Sequence, residues 1–285
     1  MRLISADCIQ AYRDQTFRSI SGRRIRTREE AIDFVNERGF IFFWPITSVL
    51  LPSLWVAVAG DRPVADEHDD PGHITWDWKD SLLGKDQWYY ARVLRKKATM
   101  ISFVLAPYFY ALSENYGSPE DDYLTLYEQG RMTPEEKTIY EALVDGGPVD
   151  TVALKRITRM STLASESRFN RALTNLQADF KVLPVGVTQA GAWRYAFAYD
   201  IVARQYPEIP EQAHTIREDE ARKILTEFYF RAIGAGRVND VARLFIWRIV
   251  DADRAVDDLV KEGVLAKVNL ENQAGEWFTH RALLA

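Results

Sequence analysis

Apolar residues recur at helical spacing in three stretches of the chain. Each stretch opens on a threonine followed closely by acidic side chains: Thr27-Arg28-Glu29-Glu30, Thr133-Pro134-Glu135-Glu136 and Thr215-Ile216-Arg217-Glu218. A hydroxyl cap with a glutamate three residues on satisfies two of the orphan amides that begin a helix, so each of the three predicts a helix start. The middle stretch is the most legible. Pro134 suits the first helical position, Ile139, Ala142 and Leu143 give an apolar stripe, and Gly146-Gly147-Pro148 ends the helix. Asp150 then caps a short second helix to Thr158. A third follows with Phe169, Leu173, Leu176 and Phe180 on one face. The period then changes to two: Val182–Val185, a turn over Gly186–Gly191, and Trp193–Tyr199 predict a β-hairpin. Three helices and a hairpin in that order predict a winged helix.

The order recurs after Tyr206-Pro207-Glu208-Ile209-Pro210, which reads as a linker. Ala221, Ile224, Leu225 and Phe228 form one inward face, Val238–Trp247 a second helix, and Asp251–Glu262 a third with Ala252, Val256 and Leu259 buried. Val264–Leu270 and Trp277–His280 supply a second wing. The first stretch is harder to read. Residues 7–20 predict a short polar helix, and a helix from Thr27 runs through Arg38 to a stop at Gly39. Phe40 to Ala59 carries no charge over 20 residues, the length of a membrane span. Pro45 and Pro52 interrupt it, which predicts an extended piece to about Pro45 and then a buried helix, with a membrane helix as the alternative. The fold class is therefore mainly α with small β-hairpin wings, as tandem winged-helix (helix-turn-helix) units. The expected units are an N-terminal helical, winged-helix-like one at 1–115, a central winged helix at 131–206 and a C-terminal one at 211–285, with 114–130 as a linker.

Composition narrows this little. The chain has 285 residues, 47% hydrophobic and 27% charged, which is ordinary globular composition. A formal charge of −5 argues against indiscriminate polyanion binding, so any nucleic-acid contact has to use a local basic patch. Cys8 is the one cysteine, which excludes an intramolecular disulfide framework and fits a reducing compartment. The first residues hold no contiguous apolar signal region, so the expected location is cytoplasmic.

Candidate chemistry follows from charge placed on this pattern. At 100° per residue, the third helix of the central unit turns Ser167, Arg171, Thr174 and Asn175 away from its apolar stripe, flanked by Arg168 and Asn170. Such side chains donate to phosphates and base edges. Between Lys155 and Lys181 six basic residues face two acidic ones, a local +4. Double-stranded DNA is the expected partner, with Arg194 of the hairpin contributing; a solvated face in a protein-contact winged helix is the alternative. Arg13 to Arg28 holds six arginines against Asp14, and Arg23, Arg24 and Arg26 are either phosphate contacts or part of a solvated arm. Arg95, Lys96 and Lys97 follow Trp88-Tyr89-Tyr90, a mixture that suits stacked bases beside phosphate, or the basic edge of a strand. In the last unit the outward face holds Arg254, Asp257, Asp258 and Lys261; its aspartates repel phosphate, so this copy is expected to be architectural. Residues 61–80 carry seven acidic residues against two basic ones. His68 and His73 lie among them at no spacing that matches a metal signature, so no metal is expected. Trp76-Asp77-Trp78-Lys79-Asp80 is either a pocket with a desolvated acid, Asp77 or Asp80, or a capped helix start with core tryptophans. No phosphate-cradling glycine loop is present, and no cofactor is expected.

The runs Arg95–Ser113, Thr133–Asp150, Phe169–Val182, Arg217–Phe245 and Val256–Val268 with Trp277–His280 together resemble the AlkZ/YcaQ type of winged-helix DNA glycosylase. The resemblance covers about residues 27–281. It implies tandem winged helices, DNA binding, and excision of alkylated bases or unhooking of interstrand crosslinks. It also implies a catalytic Gln, apolar residue, then Gln or Asp, after the first-unit helix. The matching stretch, Phe42-Phe43-Trp44-Pro45-Ile46-Thr47-Ser48-Val49, holds neither Gln nor Asp. The C-terminal β-rich domain of full-length members is not expected here. The sequence thus predicts a DNA-binding relative without the usual catalytic pair. A divergent glycosylase using Asp77 or Asp80, and a winged-helix scaffold or transcriptional regulator, are the alternatives.

Overall fold

The computed structural model describes residues 2–67 and 69–284. Three segments follow one another along the chain. The first contains β1 (Arg2–Ile4), α1 (Ala6–Thr16), α2 (Arg28–Arg38), β2 (Phe40–Phe42), α3 (Leu54–Ala59), α4 (Ile74–Ser81), β3 (Tyr89–Arg92), β4 (Ala98–Ile101) and α5 (Ala106–Tyr110). The second contains α6 (Asp122–Glu128), α7 (Pro134–Gly146), β5 (Val149–Asp150), α8 (Thr151–Ile157), α9 (Leu163–Ala178), β6 (Val182–Thr188) and β7 (Ala196–Ile201). Two short helices, α10 (Val202–Gln205) and α11 (Glu208–Ala213), lead to the third: α12 (Glu218–Ile233), β8 (Ala235–Gly236), α13 (Val238–Phe245), α14 (Ile249–Lys261), β9 (Leu265–Leu270) and β10 (Gln273–His280). The fold is thus mixed, mainly helical, with small sheets ordered β2-β4-β3, β5-β7-β6 and β1-β9-β10-β8.

Local signals place most of these elements. Thr133 accepts from the Glu136 amide and Glu136 returns the bond to the Thr133 amide at 2.8 Å, a closed capping box. Asp150 caps α8 by accepting from Val152 and Ala153. Thr27 accepts from Glu30, but the Glu30 carboxylate takes the Arg26 amide instead, so the box at α2 is half made. At Thr215 it is not made at all. The expected linker Tyr206–Pro210 runs into a helix at Glu208–Ala213, and the Thr215 hydroxyl closes that helix on the Gln212 carbonyl at 3.1 Å; α12 starts after Arg217. The expected linker 114–130 likewise contains α6, whose Tyr123 and Leu126 are buried.

The uncharged stretch 40–59 is a strand in the middle of the molecule and a six-residue helix, not a span. No described helix is long and apolar enough to cross a membrane. The apolarity of the stretch comes from two buried pieces, with Phe40, Ile41, Phe42, Leu54, Trp55 and Ala57 fully covered, on either side of an uncharged turn in which Pro45, Thr47, Ser48 and Leu50 are exposed.

The segments share side chains across their boundaries. The largest core cluster joins Phe40, Tyr89 and Phe109 of the first segment to Phe180 of the second and Tyr229, Phe230 and Val256 of the third. β1 pairs in parallel with β9, Arg2 opposite Val268, and the Arg13 guanidinium of α1 donates to the Ile233 and Ala235 carbonyls. Residues 2–16 therefore lie on the third segment, and Arg13 serves the end of α12. Gly39, φ +82°, ends α2 where α12 crosses it; a Cβ there would sit 2.4 Å from Phe228 Cδ1.

Phe180 departs from its expected place on the α9 stripe. The helix ends at Ala178, and Phe180, φ +54°, turns out of it while Lys181 N bonds back to the Leu176 carbonyl. Phe169, Leu173 and Leu176 stay in the core of the second segment.

Lys181 is buried directly after this turn and donates to the Glu114 carbonyl and to Asn115 Oδ1. Burial pushes its ammonium down to about 8, with Asp179 and Asp122 opposing the shift. Above that pH the unfolded chain binds the extra proton, so the Lys181 contribution makes stability rise as pH climbs from about 8 to about 9. From about pH 9 upward the buried tyrosines oppose it, because burial holds hydroxyls such as those of Tyr90, Tyr140, Tyr199 and Tyr206 above their ordinary value and the unfolded chain ionises first. The urea midpoint is expected to climb between about pH 8 and 9, and the climb to shrink in Lys181→Met. Equal climbs in the two proteins would refute the assignment.

Candidate functional site

The exposed side of α9 follows from its core side. With Phe169, Ala172, Leu173 and Leu176 buried, Ser167, Arg168, Asn170 and Arg171 face outward, and Thr174 and Asn175 are half-buried. Two of these are already engaged. Arg168 pairs with Glu135 of α7 at 3.0 Å. Asn175 donates to Glu136 Oε1 at 2.6 Å and accepts from Lys96 Nζ at 2.6 Å, which ties α9 to the turn before β4. Arg171 has no ion-pair partner among the described residues and extends from an exposed position.

Beside this face lie two connected hollows. A groove of about 390 Å³ runs between α9, the start of α8 and β7, over Asn170, Thr174, Thr151 and Val152. A cavity of about 530 Å³ continues from it beneath the β6–β7 hairpin, walled by Phe43, Trp44, Trp76, Tyr90 and Phe197. The two share Arg92, Gln177, Tyr195, Phe197 and Tyr199. Arg92, Lys96 and Lys97 are exposed at the cavity rim. A basic rim over an aromatic interior suits a ligand with a charged backbone and a flat, unstacked group.

The polar centre of the cavity is Lys79. The α4 sequence puts Thr75, Trp78 and Lys79 on the inward side, and Asp70 starts the preceding turn by accepting from Gly72. Lys79 is 3% exposed. Its Nζ lies 2.7 Å from Asp80 Oδ1 and donates to Tyr195 Oη at 3.3 Å, while that hydroxyl donates to both Asp80 oxygens at 3.1 Å. The ammonium is otherwise surrounded by rings, 4.7 Å from the Phe197 centroid, 5.1 Å from Trp76 and 5.5 Å from Phe43 and Tyr90. Burial lowers its pKa and Asp80 partly restores it. Burial, then Asp80, holds the Tyr195 hydroxyl well above its ordinary value, so it remains a donor.

The sequence-derived candidates separate in space. Asp80 stands behind the cavity wall, bonded to Lys79 and Tyr195, which line it, and Asp77 on the same helix is exposed. Phe43, Trp44, Pro45 and Ile46, from the stretch set against the glycosylase motif, form one cavity wall, so that stretch supplies shape there and the indole N–H of Trp44, unpartnered among the described residues, and no carboxylate or carboxamide. Lys96 and Lys97 join the rim; Arg95 is spent on the Arg243 carbonyl at 3.1 Å. Arg194 sits at the exposed wing turn with φ +51° and bonds weakly to Gln189. Arg23, Arg24 and Arg26 surround a separate turn, where Ile25 bonds to Ala57 and the Arg24 guanidinium lies against Gly60. Tyr90 and Arg92 fall in the aromatic and basic stretch, and Lys79 in Trp76–Asp80, that the sequence marks, but neither they nor Tyr195 were singled out as site residues. The signal for Lys79 was present: it falls four residues after Thr75 and three before Leu82, on the helix side that also carries Trp78.

Among the described residues no group of three or more His, Cys, Asp or Glu is placed to hold a metal ion. His68 lies outside the described residues. His73 lies tilted at 54° against Trp55 and bonds through Nε2 to the Ala65 carbonyl at 3.0 Å.

The family model described as AlkZ related matches residues 25–245. Among solved structures the chain is similar to the Streptomyces sahachiroi DNA glycosylase AlkZ, with a TM-score of 0.61 at 16% identity over 100% of this chain and 73% of that one. At that identity the likeness is one of fold. No curated protein matches the chain in sequence.

Proposed function

Since the chain belongs to the AlkZ-related family, we propose that it binds double-stranded DNA, damaged duplex included, through the exposed face of α9 and the basic rim beside it. The observation that carries this reading is that Asn170 and Thr174 of α9 share a groove with Arg92, while Asn175 bonds to Lys96, so that α9, with Arg171 exposed on it, lies beside a basic rim on a chain of net charge −5. On this reading the units 1–115, 131–206 and 211–285 are tandem winged helices. The central one presents its third helix to the major groove, and the last is architectural because Asp257 and Asp258 lie on the matching face. Ser167 and Asn170 suit base-edge or phosphate contacts, and Arg194 suits the backbone alongside the wing. The usual catalytic pair is replaced by Trp44 and its neighbours, so binding is proposed without the usual base-release chemistry.

Arg171→Ala is expected to weaken duplex binding about three- to tenfold and to reduce the slope of log affinity against log salt by about 1. Unchanged affinity and slope would remove α9 as the contacting helix. A second reading, a divergent glycosylase, is favoured by the Asp80 carboxylate bonded to two residues that line the aromatic cavity, Lys79 and Tyr195; it requires base release from alkylated duplex, measured as abasic sites after heating. A protein-contact scaffold is favoured by Leu163 and Trp193, two large apolar side chains of the central segment that are each 91% exposed. That reading requires indifference to DNA at any salt concentration.

A further inference from the structure

We infer that Lys79 is an imine-forming amine, condensing inside the aromatic cavity with an aldehyde, the ring-opened deoxyribose of an abasic site being the aldehyde that DNA would present there. The identity of that aldehyde rests on the DNA-binding reading; the reactivity of the amine does not. A lysine that serves only as a surface charge would keep its ammonium in water. Lys79 instead places Nζ against a cavity of about 530 Å³, with 4% of its side chain exposed. A carboxylate at 2.7 Å and a tyrosine hydroxyl at 3.3 Å stand beside it, bonded to each other. These are the base and the proton donor that imine formation needs. Burial among rings disfavours the ammonium relative to water, which raises the share of free amine. The rings at 4.7 to 5.5 Å then favour whichever cation remains, ammonium or iminium.

The step balances without an oxidant or reductant. Asp80 takes a proton from the ammonium, and the freed nitrogen pair attacks the carbonyl carbon. A C–N bond forms while the C=O π pair moves to oxygen, which takes a proton from Tyr195. Asp80 passes its proton back to the tyrosinate and takes one from the carbinolamine nitrogen; it then delivers that proton to the carbinolamine hydroxyl, the C–O bond breaks and Asp80 is a carboxylate again. Water leaves and the C=N bond forms. The net change is R–NH3+ plus R′CHO giving R–NH+=CHR′ plus H2O, with one positive charge on each side. Arg92, Lys96 and Lys97 at the rim are placed for the phosphates flanking such a site.

The test incubates the full chain with duplex carrying one abasic site in the presence of sodium cyanoborohydride, which reduces an iminium to a stable secondary amine. Gel shift under denaturing conditions and peptide mapping then report the adduct and its position. The expected result is a covalent complex at Lys79 that falls at least about tenfold in Lys79→Arg, a variant that keeps the charge and the ring contacts but forms no imine. Duplex affinity and the melting curve of Lys79→Arg are recorded beside the parent's, and adduct yields are compared at equal fractions of bound duplex. If the duplex is bound but no adduct forms, or the adduct maps to Lys96 or Lys97 instead, the inference is overturned while the binding reading stands. If no duplex is bound, the binding reading falls and the same reductant is used with butanal. Labelling of Lys79 ahead of the exposed lysines then supports the amine assignment, and labelling that spares Lys79 overturns it.

Discussion

Duplex affinity is expected to fall about 10- to 100-fold at 0.1 M salt when Arg92, Lys96 and Lys97 are replaced together by alanine. The three come from one short stretch, the end of β3 and the turn into β4, and all are exposed at the mouth of the cavity. Each phosphate neutralised releases a condensed counterion, so removing three cations should also flatten the salt slope by about 2 to 3. The structural cost is small. The Lys96–Asn175 bond is solvent-exposed, and the Arg92 backbone amide keeps its bond to Gln177 Oε1 at 3.2 Å whatever the side chain. Titration at two salt concentrations checks both numbers, and the melting temperature checks the fold. A loss of affinity with an unchanged salt slope would mean that these residues act through packing, which would count against the rim as a phosphate surface.

Phe180→Ala should have the largest effect on stability, a loss of about 3–5 kcal/mol. Its ring is 2% exposed, stacked on Tyr89 at 4.6 Å and 12°, parallel to Phe109 at 6.0 Å and edge-on to Tyr110 at 6.4 Å. Those partners belong to the first segment, and Phe180 is attached to the helix of the second that is proposed to meet DNA. The deletion would leave a ring-sized void among rigid aromatic neighbours that cannot collapse into it. Against a typical total of about 5–15 kcal/mol, the loss is large. Urea unfolding measures it. A change below about 1 kcal/mol would show that the segments are held together elsewhere, at odds with the burial of this ring.

Both predictions depend on residues whose importance was unevenly legible. The helices of the central and last segments were readable because an amphipathic helix writes its buried face into a 3.6-residue period, and because Thr133 and Asp150 cap their own helices through bonds that span three residues. The hairpins were readable for the same reason at period two. The exposed face of α9, with Arg171 and Asn170, follows from the stripe opposite it. Where the decisive contact lay farther along the chain, the local pattern misled. Thr215 had the spacing of a cap, but α11 claimed its hydroxyl. Phe180 continued the α9 stripe in sequence, but its positive φ sends it to Tyr89 and Phe109. Residues 40–59 had the length and apolarity of a span, and were instead two buried pieces on either side of an exposed, uncharged turn.

The sequence by itself determined the helix order, the hairpins, the family resemblance and the lack of a Gln or Asp at the expected position in Phe42–Val49, because each is a property of neighbouring residues. Only the tertiary structure decided what that position faces. Asp80 and Tyr195 are 115 residues apart and meet on Lys79, at a cavity whose walls come from β2, α4, β3 and the β6–β7 hairpin. Tertiary packing likewise sorted the basic residues, leaving Arg171, Lys96 and Lys97 beside one surface, spending Arg95 on a carbonyl and putting Arg23, Arg24 and Arg26 around another turn. Charge is written in the chain, but whether a charge meets water, a ring or a partner depends on which distant elements pack against it.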